Sequence, residues 1–378
     1  TSPITGRLDC MATSGNFVQL HNHTHYSLLD GASKIPDLVK RAKELNMPAV
    51  GITDHGNMHG AYEMWSTAVK EGVKPIIGIE AYVTPETARQ DQTRVSWDTN
   101  WNPDIDPQHR RRNPNDVSGG GLITHLTMWA ETDEGLVNLM KASTDANLEG
   151  RVMRYPRMDK EILAKYSKGI IASSGCPSGI IQTRLLLGQF DEALRAAGEL
   201  QDIFGRDNFY IEFMDHGLKI EKQVTDGLLD IAKKLNAPLL ATNDSHYVRA
   251  EDAGSQDAML CINSGSTLDE PGRFKFDGTG YYLKSAEEMR ELFKDIPEAC
   301  DNTLEIAERC NVMFDDHEDG AFMPQFDCPE GWDETSLFLR KVEEGLEQRY
   351  DGHPPIEVLK QADYECGVIC QMQFCGYF

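Results

Sequence analysis

Seven short apolar, β-rich runs alternate with amphipathic helical patterns over the first two thirds of this chain, and no other feature restricts its fold so strongly. The runs are FVQLHNHT (17–24), AVGITDH (49–55), KPIIGIEAYVT (74–84), LITHLTMWA (122–130), GIIASSG (169–175), NFYIEFM (208–214) and PLLATNDSH (238–246). Between most of them lie segments such as PDLVKRAKELN, GAYEMWSTAVKEG and EKQVTDGLLDIAKKLN, with apolar residues at three-and-four spacing. Strands alternating with helices imply right-handed βαβ units and a mainly parallel sheet. Seven units predict an α/β fold: a seven-stranded (β/α)7 TIM-like barrel, in which chemistry sits at the C-terminal ends of the strands.

The rest of the chain is organised around that barrel. Residues 1–16 read as an N-terminal extension, the barrel as 17–285 with an insertion at 85–121, and 286–378 as a helical segment. The insertion is polar and carries the basic run HRRR (109–112), either a solvated loop or a contact near the barrel mouth. The helical segment includes an acidic stretch, DDHEDG, and ends on an apolar run as a truncated chain would, with a further domain expected beyond it.

A net charge of −24 argues against a surface that grips duplex DNA by neutralising many phosphates. Bound divalent cations escape a residue count, so a phosphodiester substrate stays open. No apolar run approaches the roughly 20 residues that cross a bilayer, and no secretory signal opens the chain, so a cytoplasmic protein without a membrane partner is expected. The nine cysteines form no disulfide-like pattern. Cys366, Cys370 and Cys375 lack the spacing of a zinc ribbon and read as a helix face.

Chemistry-bearing side chains gather at the ends of the runs. His21 and His23 are two apart, so in a strand they share a face and can reach one metal. His55 ends the second run in TDHG, and Glu80 lies inside the apolar IIGIEAY, where a carboxylate must be ion-paired or bind metal. His125 falls on the fourth run and Cys176 follows the fifth, though a core histidine and an inert buried thiol would look the same. Asp244 and His246 close the seventh as another same-face pair. Taken together, these residues predict a polynuclear metal site; His, carboxylate and one thiolate suit zinc, with manganese or iron tolerated by the His and carboxylate part.

The segments HNHTHYSLLDGA, GITDHGNMHGAYEMW, KPIIGIEAY, HLTMWA, SSGCPSGII, MDHGL and TNDSHYV together resemble the PHP (polymerase and histidinol phosphatase) domain. Within that family they are most similar to the PHP domains of the C-family bacterial replicative polymerases, the polymerase III alpha subunits. The likeness continues through FKFDGTGYYLKSAEEM and GVICQMQFCGYF. It implies a distorted seven-stranded barrel, with the helical segment leading to a polymerase palm that this chain lacks.

The resemblance also implies a ligand set of His21, His23, Asp30, His55, Glu80, His125, Cys176, Asp244 and His246. These would hold three divalent metals: one with His21, His23, Glu80 and Asp244, a second with Glu80, His125 and Cys176, and a third with Asp30, His55 and His246. A complete set implies 3′ to 5′ exonuclease proofreading on a single-stranded primer end, within a DNA-directed DNA polymerase that meets other replisome subunits, such as the sliding clamp, through regions outside this chain. His25, where those subunits usually have Glu, and His216 in MDHGL are candidate substrate contacts or ordinary surface and loop histidines. A scaffold module whose metals only hold the fold, and a small-molecule phosphoesterase, are the competing readings.

Overall fold

A computed structural model of the chain describes residues 16–98, 121–314 and 325–378. The expected extension up to residue 15, most of the insertion with its HRRR run, and DDHEDG lie outside the described residues. The chain divides into two units, 1–314 and 315–378.

The first unit contains strands β1 (Ala49–Ile52), β2 (Lys74–Val83), β3 (Thr124–Ala130), β4 (Arg157–Met158), β5 (Ile170–Ser173), β6 (Phe209–Phe213) and β7 (Leu239–Ala241). Neighbours run β1-β2-β3-β5-β6-β7, with the two-residue β4 beside β2. The first apolar run forms no regular strand, but bridges Val50 through Gln19 and Ser245 through Asn22. Gly51 N donates to Gln19 O at 2.8 Å and His23 N to Ser245 O at 2.7 Å. The run therefore stands between β1 and the chain beyond β7, closing a distorted seven-membered barrel.

The sheet is mainly parallel, as the alternation predicts, with one reversed strand. β1-β2, β5-β6 and β6-β7 are parallel, but β3 runs antiparallel to both β2 and β5. A parallel neighbour requires a crossover back to the starting edge; between β2 and β3 no crossover helix is found among the described residues. The reversal has a functional consequence, because it brings the first residues of β3 to the rim where the parallel strands end.

Alternation along the strands builds the interior in layers. The bottom is apolar, with Leu20, Ile76, Trp129, Ile171, Tyr210 and Leu240 packed against Ile306 of helix Pro297–Arg309 and Cys310 just after it. Gly78 makes room for Trp129: a Cβ there would sit 2.7 Å from the indole and 2.4 Å from Met128 O. Ile77, Ile79 and Ala81 face outward into the larger core shared with helices Ile35–Glu44 and Ala61–Glu71. Glu80 is on the inward side, opposite Thr127, which is itself opposite Ser173.

Arg157, fully buried, fastens the ends of the insertion to the barrel. Its guanidinium donates to Gly150 O (3.1 Å), Leu122 O (3.3 Å), Arg89 O (2.7 Å) and Asp91 O (2.8 Å). The second unit holds helices Glu334–Arg349 and Ile356–Gln371. Asp333 caps the first by accepting from Ser336 N at 2.7 Å. Cys366 and Cys375 are buried there, with Cys370 Sγ 3.4 Å from Cys375 Sγ. Among the described residues no helix is long and apolar enough to cross a membrane.

Candidate metal centre

Above the apolar floor the interior becomes polar. Glu212 of β6 is fully buried and accepts from Ser173 Oγ (2.5 Å), Gly175 N (3.1 Å) and Thr242 Oγ1 (2.6 Å), while its Oε1 lies 2.7 Å from His21 Nδ1. That contact makes Nδ1 the donor and leaves His21 Nε2 facing upward. His23 and His246 are oriented in the same sense. His23 Nδ1 meets Ser27 Oγ at 3.0 Å, Ser27 donates to Asp54 at 2.6 Å, and His246 Nδ1 donates to the Asp244 carbonyl at 2.8 Å.

The expected residues meet around Glu80. Its Oε1 is 3.5 Å from His21 Nε2 and 3.1 Å from His125 Nδ1; its Oε2 is 3.6 Å from His23 Nε2 and 2.6 Å from His55 Nδ1. Asp244 Oδ1 lies 3.4 Å from His21 Nε2, 3.0 Å from His23 Nε2 and 3.6 Å from His246 Nδ1. Asp30 Oδ2 is 2.9 Å from His55 Nε2 and 3.9 Å from His246 Nε2. Cys176 Sγ is 3.3 Å from His125 Nδ1.

Close as they are, several of these atoms make no hydrogen bond. His21 Nε2, His23 Nε2, His55 Nδ1, both Glu80 oxygens, Asp244 Oδ1 and His246 Nε2 are buried and unpartnered. Burying such groups unsatisfied costs about 1–3 kcal/mol each, so a run of them in one place calls for a missing counter-charge. Cations shared between the atoms would supply it, and the donor set of imidazole, carboxylate and one sulfur fits a divalent metal. Three triads have ligand atoms within 4.8 Å of one another: His21-His23-Glu80, His55-Glu80-His125 and His23-His55-His246.

Charge within the cluster is tightly balanced. Burial raises and the histidines lower the Glu80 carboxyl, and the histidines win, holding it well below the usual carboxylate range. Asp244 is depressed in the same way, chiefly by His246 and His21 against burial, and Asp30 falls to about 2 under His55 and His246. Burial lowers His23, together with neighbouring His55 and His246, to about 3. His21 is raised well above the ordinary value because Glu212 and Asp244 outweigh its burial. Burial, then Glu80 and Asp244, push the Cys176 thiol up. Metal ligands have to be deprotonated, so cations loaded here would compete with protons for these atoms.

One pair and one single histidine reach the rim differently from residues at the end of a parallel strand. β7 ends at Ala241, and Asp244 takes a left-handed backbone (φ 44°), which aspartate tolerates better than most residues. This turn places Asp244 and His246 on the rim. His125 is the second residue of the antiparallel β3, so the start of a strand delivers it there.

His216 is a clip between elements: Nδ1 lies 2.6 Å from Glu221 Oε1, Nε2 2.9 Å from Asn243 O, and the ring stacks on Tyr281 at 4.0 Å. His25 packs against Tyr26, ring centroids 4.4 Å apart. Sequence reasoning missed Glu212 and Asp54. Glu212 carried a readable signal, a carboxylate inside the apolar strand FYIEF; Asp54 was adjacent to a chosen histidine and went unread.

The PHP domain family matches residues 19–216, and the chain belongs to that family. Its relatives are more particular. It is 49% identical over 368 residues to the DNA polymerase III subunit alpha of Mycobacterium tuberculosis, covering 97% of this chain and 30% of that protein. The corresponding subunits of Mycobacterium leprae and Treponema pallidum are 50% and 39% identical over 364 residues each, covering 96% of this chain and 30% and 29% of theirs. The chain thus spans about 30% of the length of the relatives it matches.

Proposed function

We propose that this chain is the metal-dependent phosphodiesterase module of a replicative DNA polymerase and trims single-stranded DNA from its 3′ end, as proofreading requires. The observation that carries the reading is the convergence of buried, unpartnered nitrogen and carboxylate oxygen atoms around Glu80. In this reading the centre takes three divalent metals, zinc foremost and manganese or iron next, on His21, His23, Asp30, His55, Glu80, His125, Cys176, Asp244 and His246. Glu80 would be shared between them, since each of its oxygens faces two different histidines. The triads suggest that His23 and His55 are also placed between neighbouring metal positions.

Divalent ions held there would lower the pKa of a water and offset charge on phosphate oxygens. The protein's own part is orientation and access. His21 and His23 are closed to solvent, whereas the side chains of Asp30 (20% exposed), His125 (16%), His55 and Asp244 (14% each) border the opening, so substrate arrives on their side. Residues 17–285 would form this module, 286–378 would lead toward the polymerising part, and the parent enzyme would work in the cytoplasm with DNA and other replisome subunits.

Asp244→Asn and His23→Ala test the reading on 3′-labelled single-stranded oligonucleotides. Loss of degradation with an unchanged melting temperature is expected. Unfolding of both variants, or intact oligonucleotide with the metal-loaded parent chain, would favour a scaffold role instead.

A further inference from the structure

The loop motif R-F-K-F (273–276) has no part in the centre so far described, yet a ladder of rings joins it to a proposed ligand. His246 meets Phe276 edge-to-face with centroids 4.6 Å apart, and Phe276 meets Phe274 edge-to-face at 6.1 Å. Phe274 is 58% exposed. A single exposed phenylalanine is ordinary on a protein surface. This one is held in place, because its neighbour Arg273 is locked to Asp257 by two contacts of 2.6 Å.

Two positive side chains accompany it. Lys275, between the two phenylalanines, is exposed. Arg154 Nη1 donates to the Asn263 amide at 2.7 Å rather than to an acid, and Asn263 donates in turn to Leu29 O at 3.2 Å, next to Asp30. In a chain of net charge −24, an aromatic face interleaved with cationic side chains beside a metal centre suits a single-stranded polyanion with flat bases.

We propose that Phe274 is a stacking platform for a base near the 3′ end of single-stranded DNA, with Lys275 and Arg154 on its phosphates. Phe276 carries the contact inward to His246. The proposal rests on the nucleic-acid reading above and adds to it the residue that holds the strand.

The full 378-residue chain, loaded with zinc, is titrated into fluorescein-labelled phosphorothioate oligothymidylate, which resists hydrolysis, and followed by anisotropy. Phe274→Ala should weaken binding about 5- to 100-fold, and Phe274→Trp should retain it. Lys275→Ala should flatten the salt dependence. Hydrolysis of bis(p-nitrophenyl) phosphate, too small to reach the platform, should be the same in all variants. Unchanged oligonucleotide affinity in Phe274→Ala overturns the proposal. So does a parent chain that binds no oligonucleotide; if that chain still hydrolyses the small diester, the metal centre stands and only its nucleic-acid substrate falls.

Discussion

Replacing Glu212 by glutamine changes one atom beneath the centre, and the structure fixes what must follow. A carboxylate has about four acceptor positions, and Glu212 uses them on His21 Nδ1, Thr242 Oγ1, Ser173 Oγ and Gly175 N. A glutamine amide accepts on one side only. With its oxygen toward His21 and Thr242, its NH2 faces the Gly175 N–H, and two donors oppose each other. In the reverse orientation the NH2 faces His21 Nδ1, which can then only accept; the imidazole proton moves to Nε2, the atom that would bind metal. Both orientations weaken the hold on His21, and loss of such a supporting carboxylate typically costs 10- to 100-fold in metal affinity, about 1.4–2.7 kcal/mol. Zinc competition against a chromophoric chelator, with circular dichroism to confirm folding, measures it. A folded Glu212→Gln chain whose weakest zinc site is within twofold of the parent would refute the reasoning.

Two further outcomes follow from groups outside the ligand set. Arg157→Leu strips donors from four backbone carbonyls, so urea unfolding should show a loss of about 3 kcal/mol or more, and a loss below about 1 would mean that water replaces the guanidinium. Burial lowers Lys284 from 10.5 to about 8, and its ammonium reaches Asn243 Oδ1 at 2.5 Å. Between those two values the unfolded chain binds the proton that the folded chain has shed, so stability should rise with pH, by about 3 kcal/mol from pH 8 to above 10 relative to Lys284→Met; parallel curves for the two proteins would remove this role from Lys284.

The barrel was legible because apolar runs and helical spacing report directly on burial. Its closure was not, since the first run is held by isolated bridges, and the direction of β3 depends on a connection whose length is visible but whose path is not. Glu80 could be found because a carboxylate in an apolar strand has to be satisfied. Glu212 in FYIEF obeys the same rule, but its partner His21 is 191 residues away, so nothing local shows what satisfies it. His21 and His23 were selected by strand periodicity, and Asp244 and His246 as well, yet the latter pair is assembled by a left-handed turn that periodicity cannot reveal. Which ligands share an ion is likewise a property of three-dimensional geometry, and there His23 and His55 are placed between groups.

The central claim is that the atoms around Glu80 are unpartnered because metals belong among them. Elemental analysis of protein purified without chelator or affinity metal, counted per chain and repeated on Glu80→Ala, addresses it directly. About three divalent ions in the parent chain and a marked loss in the variant are the predicted result. A folded parent chain carrying none, and taking up none on dialysis against zinc or manganese, would contradict the account.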